Sequence, residues 1–227
     1  NLPSTLLAQV DSSIGGKTGI NTKFGKNLVG SFYQPNLVIS DIIFLKSLPK
    51  REILCGYGEI FKHSLISDKK FFLFLDKIIK NILDLKTPFI EKSIYKSCVI
   101  KKDIVQKDFK ERDLRKNLNF GHTFGHAYES SLKYSGKLNH GEAVILGIIS
   151  ASQFSYTNKY LNLKDYNLIN DHIFKINKKL KIKNYFKTRD VKDIIKYMIN
   201  DKKNFNKNIN LILIKKIGKT IINNNFK

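Results

Sequence analysis

Three of the chain's five histidines, His122, His126 and His140, lie within one short stretch. Imidazole is the commonest protein ligand of metal ions, and histidines one helical turn apart present their nitrogens on the same side of a helix. Catalytic zinc usually takes three protein ligands and keeps one position open, so His122, His140 and a carboxylate from elsewhere would suffice. Histidines also serve as packed or capping residues of helices. The spacing alone leaves a metal site and a structural role open.

Glu59 is a candidate for the missing carboxylate. It stands among apolar neighbours in Gly58-Glu59-Ile60-Phe61, and Lys62 and His63 follow one turn later on the same face of a predicted helix. A glutamate in this setting fits either a third metal ligand or an ordinary ion pair with the lysine three residues on. Both interpretations stay open at this point.

A second set of polar residues lies upstream of the histidines and consists of Lys101, Glu111, Arg115 and Asn119. If this segment is helical, Arg115 and Asn119 share a face with His122 and His126 and point with them into one pocket. The alternative is a solvated charged face, which the neighbouring lysines favour: Lys107, Lys110 and Lys116.

A glycine-rich turn near the start of the chain combines an acid with a lysine, since Asp11 is followed by Gly15, Gly16 and Lys17. Glycines allow a ligand to approach the backbone, and the lysine supplies a point charge for a phosphate group. The pattern lacks the first glycine of a GxxxxGK[ST] loop, because that position holds Asp11, so ATP binding is not predicted. A purely structural turn is the alternative.

Apolar spacing divides the chain into two parts. Residues 3–47 mix short apolar runs with glycine-rich turns, and Asn36 to Asp41 is typical of a short buried strand, so this part is predicted to be α/β. After Pro49, apolar residues recur every three or four positions, which predicts helices, for example over Phe71–Leu85, Ile90–Val105, Gly141–Phe154 and Val191–Ile199. The run from Asn210 to Ile214 predicts a short hairpin or edge strand.

The net charge of +22 raises the question of a nucleic-acid or membrane partner. Only four arginines are present, although phosphate and base recognition favour the arginine fork, and the lysines are scattered along the chain. We therefore predict no nucleic-acid partner, whereas the positive field suits a phosphorylated metabolite. The two cysteines form no ligand-spaced set, and no apolar run is long enough to span a bilayer. These features predict a cytoplasmic protein without a membrane partner.

Four separated motifs together resemble the 3-dehydroquinate synthase family, and they span most of the chain in the family's order: Pro3–Gly19, Gly58–Lys62, Leu118–His126 and His140–Val144. The resemblance implies an α/β remnant of a nucleotide-binding domain over residues 1–47. A mainly α-helical metal- and substrate-binding domain would follow over 48–227. The chain starts at Asn1 and has no GGGxxGD-like turn, so we expect the family's amino-terminal part to be missing. Gly58 and His63 stand where the family more often has alanine and tyrosine.

The resemblance also implies a role for each matching position. A divalent metal, normally zinc and possibly cobalt, would be held by Glu59, His122 and His140. Proton transfer is assigned to Glu111 and His126, and the catalytic set also includes Lys62, Arg115 and Asn119. The substrate would contact Asp11, Asn27, Lys62, Lys101, Arg115, Asn119 and one of Lys202 or Lys203. NAD would contact Ser4, Thr5, Lys17, Lys26, Phe44, Leu45, Lys46 and Ser47.

The family's reaction converts 3-deoxy-D-arabino-heptulosonate 7-phosphate to 3-dehydroquinate and phosphate, a step of aromatic amino acid biosynthesis. The resemblance therefore implies an NAD- and metal-dependent enzyme of a phosphorylated sugar acid, which forms a homodimer at full length. Arg115 and Asn119 favour a substrate with a carboxylate. The alternatives are another sugar-phosphate cyclase or a metal-dependent polyol dehydrogenase. A more distant alternative, based on charge alone, is a basic binding module.

Overall fold

The computed structural model describes residues 1–22, 25–199 and 209–226, without the side chains at 21, 22, 25–28 and 223–226. This part of the chain is mainly helical, and its α-helices run in the order α1 Lys50–Ser67, α2 Lys69–Leu83, α3 Phe89–Lys107, α4 His122–Ser131, α5 His140–Thr157, α6 Leu163–Asn177 and α7 Val191–Ile199. The four helices predicted from apolar spacing are thus confirmed as α2, α3, α5 and α7.

Side-chain caps fix several helix starts. Asp68 accepts hydrogen bonds from the main-chain amides of Lys70 and Phe71 at the start of α2. Asn162 caps α6 in the same way. At α5, the Asn139 side chain and the Glu142 side chain each accept from the other residue's main-chain amide, which is a capping box. Because α5 begins at His140, this box sets the position of that histidine.

The strands form two small antiparallel hairpins. The first joins β1 Ile20–Thr22 to β2 Gly25–Val29, and the second joins β3 Ile209–Lys216 to β4 Lys219–Phe226. The second confirms the hairpin predicted around Asn210 to Ile214. The buried strand predicted at 36–41 is wrong, because this segment is irregular and mostly exposed. Its main chain bonds to that of Asn1, and a strand needs a longer neighbour to pair with.

Helix α1 is the centre of the core. Every residue from Cys55 to Ile66 is buried, and the helix packs against α2, α3 and α5. The first part of the chain joins the same core through Leu6, Val10 and Leu45, all fully buried. A polar residue on α1 is therefore surrounded by protein on all sides. No helix in the described ranges is long and apolar enough to cross a membrane.

Glycines bring the helices unusually close at two places. A Cβ atom on Gly141 of α5 would lie 2.3 Å from the main chain of Cys55 on α1. A Cβ atom on Gly147 of α5 would lie 1.9 Å from the carbonyl oxygen of Gly121, which precedes α4. Side chains at these positions would force the backbones apart. The glycines therefore bring α1, α4 and α5 together, and these three helices carry the candidate metal ligands.

Candidate functional site

Glu59, His122 and His140 converge from three different helices. Glu59 is fully buried on α1, and each histidine is the first residue of its helix, α4 or α5. The Nε2 atom of His122 lies 3.4 Å from Glu59 Oε1, and that of His140 lies 3.7 Å from the same oxygen. The three potential ligand atoms all lie within 4.8 Å of one another. The structure thus brings together the three residues predicted to hold the metal.

The hydrogen bonds of the two rings show which nitrogens face the centre. Nδ1 of His122 lies 3.3 Å from the Phe120 carbonyl oxygen, and Nδ1 of His140 lies 3.3 Å from Glu129 Oε2. Carbonyl and carboxylate oxygens accept, so these contacts favour a proton on each Nδ1, while each Nε2 faces Glu59. In rings with the proton on Nδ1, both Nε2 atoms offer lone pairs beside a carboxylate oxygen, which together suit a cation. This donor set fits a divalent metal.

Glu59 supports the same conclusion. Neither of its buried oxygens receives a well-oriented hydrogen bond among the described residues, although the Lys62 ammonium forms an ion pair with Oε2. A buried carboxylate is stabilised by pairing or by a metal; Lys62 pairs with Oε2, while Oε1 faces the two histidines. At His140, burial lowers the pKa, but the bond to Glu129 and the charge of Glu59 outweigh it and raise the pKa above its ordinary value.

His126 occupies a separate position. Its ring is perpendicular to that of His122, with 5.3 Å between the centroids, and lies 6.2 Å from that of His140. It falls into a different group of potential ligands, with Glu129 and His140. The two histidines one turn apart therefore do not form the ligand pair that includes Glu59. The predicted role of His126 in proton transfer stays a prediction.

Asp11 links the metal ligands to a neighbouring cleft. Its carboxylate lies within 4.8 Å of ligand atoms of Glu59 and His63, and Lys101 Nζ contacts its Oδ1 at 2.5 Å. Burial alone would raise the pKa of Asp11, but the charges of Lys101 and Lys62 hold it well below its usual range. Asp11 is thus ionised between two cations, beside the candidate metal centre.

The cleft has a volume of about 550 Å³, and its polar lining includes Asp11, Lys17, Lys101 and Arg115. Arg115 is almost fully buried, and its guanidinium donates to the main-chain carbonyls of Gly15 and Phe109. It therefore holds the glycine-rich turn in place and presents its charge at the cleft. This observation gives the predicted glycine-rich turn a structural role.

Glu111 stands at the edge of this region. The Lys17 ammonium forms an ion pair with Glu111, and Asn119 Nδ2 donates to Glu111 Oε1 at 2.7 Å. The predicted single helical face for Arg115, Asn119, His122 and His126 is wrong. A 3₁₀ helix covers Leu114–Asn119, and the chain turns at Gly121, where φ is +79°, before α4 begins. This turn, and not a shared face of one helix, therefore sets the relative positions of these polar side chains.

His63 is a further polar group buried beside Asp11. Its Nδ1 atom lies 2.6 Å from Ser97 Oγ, whereas its Nε2 atom has no hydrogen-bond partner in the described part of the chain. Burial and the charge of Lys62 hold its pKa well below the ordinary value, so the ring is neutral at neutral pH.

The residues predicted to contact NAD lie in the first 47 positions. Ser4, Phe44, Lys46 and Ser47 are exposed, while Thr5 Oγ1 accepts from the amide of Ala8. Leu45 is fully buried in the core, main chain included, so it offers no exposed surface to a cofactor. The side chains of Lys26 and Asn27 lie outside the described part of the chain, as do Lys202 and Lys203.

Sequence reasoning missed two residues of the site. Glu129 contacts His140, and its spacing of seven from His122 and three from His126 on one helix could have indicated it. Arg51 donates to Glu142 and to the carbonyls of Gly136 and Lys137, just before His140. This contact joins segments far apart in the chain, so nothing in the local sequence indicates it.

Two family models match the chain: "3-dehydroquinate synthase N-terminal" over residues 1–55 and "3-dehydroquinate synthase C-terminal" over residues 56–204. A 3-dehydroquinate synthase of Pelagibacter ubique is 59% identical over 221 residues, which cover 97% of this chain and 60% of the relative. One from Helicobacter pylori strain HPAG1 is 43% identical over 96% of this chain and 60% of its own length. The chain thus spans about 60% of these relatives.

Solved structures show the same fold. A 2-deoxy-scyllo-inosose synthase, in complex with carbaglucose-6-phosphate, NAD⁺ and Co²⁺, is 28% identical with a TM-score of 0.85, over 99% of this chain and 61% of that one. A 2-epi-5-epi-valiolone synthase from Streptomyces hygroscopicus, with NAD⁺ and Zn²⁺ bound, is 22% identical with a TM-score of 0.81, over 100% and 62%. Since the second family model alone matches well over half of the residues, the chain belongs to the 3-dehydroquinate synthase family.

Proposed function

We propose that this chain carries the metal- and substrate-binding part of an enzyme that converts 3-deoxy-D-arabino-heptulosonate 7-phosphate to 3-dehydroquinate and phosphate. The observation that carries the proposal is the convergence of Glu59, His122 and His140 next to a cleft lined by cationic side chains. The cofactors would be a divalent metal and NAD, as in the solved relatives with Zn²⁺ or Co²⁺ and NAD⁺.

Glu59, His122 and His140 would hold the metal with one carboxylate oxygen and two Nε2 atoms. When bound, the metal would supply Lewis acidity that lowers the pKa of a substrate hydroxyl, and NAD would supply the capacity to take up and give back a hydride. The protein fixes the three donors before the ion arrives, because each imidazole is already oriented through its Nδ1 proton.

The cationic side chains of the cleft suit the two anionic groups of the proposed substrate. Lys101 and Arg115 line the cleft, and Lys62 lies between the metal ligand Glu59 and Asp11. Lys101 and Lys62 are held by carboxylates, and Arg115 by carbonyls, so these charges are preorganised rather than mobile. Fixed charges in a buried site stabilise developing negative charge more strongly than charges in water.

Two contacts of Glu111 at the edge of the cleft support a role in proton transfer. Asn119 holds one of its oxygens, and Lys17 contacts the other. A substrate phosphate that attracts Lys17 would weaken the ion pair of this ammonium with Glu111. This supports the role in proton transfer that we propose for Glu111.

Sequence identity to proteins of named activity favours this reaction over the cyclisation of another sugar phosphate. The relatives that share 40–59% of residues with this chain are 3-dehydroquinate synthases, whereas the solved cyclases of other sugars share 22–28%. This supports the sugar acid over sedoheptulose 7-phosphate or glucose 6-phosphate as substrate. The homodimer and the cytoplasmic location stay predictions.

The proposal can be tested in a chimera with a longer relative, which supplies the part of the enzyme that this chain does not cover. This chain would replace the matching 221 residues of the Pelagibacter ubique relative, whose remaining length would be kept. We expect release of phosphate and formation of 3-dehydroquinate from 3-deoxy-D-arabino-heptulosonate 7-phosphate. The same chimera with Glu59→Gln should lose this activity.

The control substrates decide between the alternatives. Sedoheptulose 7-phosphate and glucose 6-phosphate should release no phosphate. A folded, zinc-loaded chimera that cyclises either of them, but leaves the sugar acid unchanged, would contradict the proposal and favour another cyclase.

A further inference from the structure

Glu129 contacts one of the proposed metal ligands through the ring nitrogen that does not face the metal centre. Its Oε2 atom lies 3.3 Å from Nδ1 of His140, while Nε2 of the same ring faces Glu59. Glu129 lies on α4, its side chain is 8% exposed, and it belongs neither to the cleft lining nor to the group of Glu59, His122 and His140.

We propose that Glu129 is a positioning residue of the metal centre, which accepts a hydrogen bond from Nδ1–H of His140 and so holds its Nε2 lone pair toward the ion. The inference deepens the proposed function and rests on it. A carboxylate that accepts from a metal-bound imidazole fixes the tautomer and the orientation of the ring, and it makes the ring a stronger donor.

The two histidine ligands differ in how they are held. His122 donates to the neutral carbonyl of Phe120, which is part of the turn before its own helix. His140 donates to a charged carboxylate from another helix. A charge-assisted hydrogen bond is about twice as strong as a neutral one. Glu129 therefore also ties α4 to the start of α5, and these two helices supply both imidazole ligands.

The ring of His140 is the less enclosed of the two, which explains why it needs the stronger partner. Its side chain is 31% exposed, against 11% for His122. A ring with more open space around it has more rotamers to lose when it binds a metal. The carboxylate of Glu129 removes this freedom before the metal binds.

A different use of Glu129 is a second metal ion, because His126, Glu129 and His140 also offer three ligand atoms within 4.8 Å. Such an ion would need Nδ1 of His140, while the first ion needs Nε2. One imidazole binds two metals only as an imidazolate, which has lost both of its protons. The direct contact of Nδ1 with a carboxylate favours a protonated Nδ1, and hence the positioning role.

The test uses zinc affinity rather than turnover. Zinc dissociation constants would be measured for the wild-type chain, Glu129→Ala and Glu129→Gln, in competition with a chromophoric chelator. Loss of an outer partner typically weakens metal binding about 10- to 100-fold, and we expect this for alanine. Glutamine keeps a neutral acceptor and should have a smaller effect. Glu91→Ala, an exposed glutamate on α3, is the matched control and should bind like wild type.

A ¹⁵N spectrum of the His140 ring supplies a readout that a loss of stability would not change. The zinc-loaded wild type and the glutamine variant should both show a proton on Nδ1. A zinc-loaded wild type whose His140 Nδ1 carries no proton would overturn the role of Glu129, and this readout does not require the alanine variant to fold.

The outcomes separate the two proposals. One zinc bound with equal affinity in wild type and both variants would overturn the role of Glu129 and leave the metal centre intact. A second zinc in the wild type that disappears in Glu129→Ala would also overturn it, in favour of a second ion. A wild-type chain that binds no zinc would overturn the metal centre of the proposed function itself, and the role of Glu129 with it.

Discussion

The backbone of Gly141 on α5 lies directly against that of Cys55 on α1, and the Gly141 amide donates to Cys55 Sγ at 3.2 Å. Each residue stands close to a proposed metal ligand. His140 precedes Gly141, and Glu59 follows Cys55 by one helical turn. The distance between Glu59 and His140 is therefore set by how closely these two backbones approach.

Gly141→Ala should separate the two helices. A Cβ atom there would lie 2.3 Å from the main chain of Cys55, so the higher helix propensity of alanine cannot compensate. We expect a loss of about 1–3 kcal/mol in the free energy of unfolding, as for other overpacked cores, and weaker zinc binding. Urea unfolding and zinc titration measure the two effects.

Gly58→Ala is the matched control for this contact. A Cβ atom on Gly58 would lie 3.0 Å from the Gly141 carbonyl oxygen, which needs only a small adjustment. A Gly58→Ala variant that loses as much stability and zinc affinity as Gly141→Ala would show that the contact of Gly141 has no special role.

Arg51 should stabilise the loop that presents His140. It donates to both oxygens of Glu142 and to the carbonyls of Gly136 and Lys137. Arg51→Met keeps much of the side-chain length but removes these donors, and it leaves Glu142 with only its capping contacts. We expect a loss of about 1–3 kcal/mol, as for hydrogen bonds to charged groups, and a faster release of zinc in stopped-flow chelation.

If Arg51 acts through the loop before His140, its replacement should loosen His140 and not His122. Arg51→Met should broaden the His140 ring signals in the zinc-loaded chain and leave those of His122, which is held by Phe120, unchanged. Equal broadening of both rings would point to a general loss of stability instead.

We predict that Lys101 contributes to turnover of the substrate and not to zinc binding. It is almost fully buried, contacts the Asp11 carboxylate and lines the cleft. Lys101→Met in the active chimera should lower kcat/KM at least about 100-fold, as for the loss of a preorganised charge, while one zinc stays bound. Lys102→Met, at an exposed neighbour that contacts Asp103, should keep full activity. Equal activity in the two variants would place Lys101 outside the site.

Stability should fall as the pH decreases below neutrality, in part because of His172. The ring of His172 is fully buried. Its Nε2 atom hydrogen-bonds with the Tyr57 hydroxyl, and its Nδ1 atom hydrogen-bonds with Asp76, which also binds Lys175. Burial outweighs the bond to Asp76 and lowers the pKa of His172 below 6.5. The unfolded chain therefore takes up a proton at a higher pH than the folded chain, so the free energy of unfolding rises with pH up to about 6.5.

The quantity to measure is the slope of the free energy of unfolding against pH. Each such group adds at most about 1.4 kcal/mol per pH unit between its folded and unfolded pKa values. His63, whose pKa burial also lowers, acts with the same sign, whereas His140, whose pKa is raised, acts with the opposite sign. His172→Gln, followed by urea unfolding of the zinc-free chain from pH 5 to 8, should therefore reduce the slope without abolishing it. An unchanged slope would contradict the assignment of His172.

The helices could largely be predicted from the sequence, because their apolar residues recur at helical spacing and caps such as Asp68 mark their starts. The segment at 36–41 could not, since an apolar run forms a strand only where a neighbour pairs with it. The site depends even more on distant contacts. Glu59 and His122 are 63 positions apart, and only the packing of α1 against α5, and of α5 against α4, brings them together.

Helical spacing was also a poor guide to which histidines act together. His122 and His126 lie one turn apart on α4, yet His122 pairs with His140 around Glu59, because Gly121 and Gly147 press α4 against α5. The resemblance to a family indicated the proposed ligand set, which spacing alone left open. The proposed roles of Glu129 and Arg51 depend on contacts between helices and loops; helical spacing offers a signal for Glu129, but the local sequence offers none for Arg51.

Zinc stoichiometry tests the central claim most directly. The purified chain and its Glu59→Gln variant, which preserves the shape of the side chain, would be loaded with zinc, dialysed and measured by inductively coupled plasma mass spectrometry beside their circular dichroism. We predict one tightly bound zinc per chain in the wild type and none in the folded variant. A wild-type chain without zinc, or a variant that keeps its zinc, would contradict the metal centre formed by Glu59, His122 and His140.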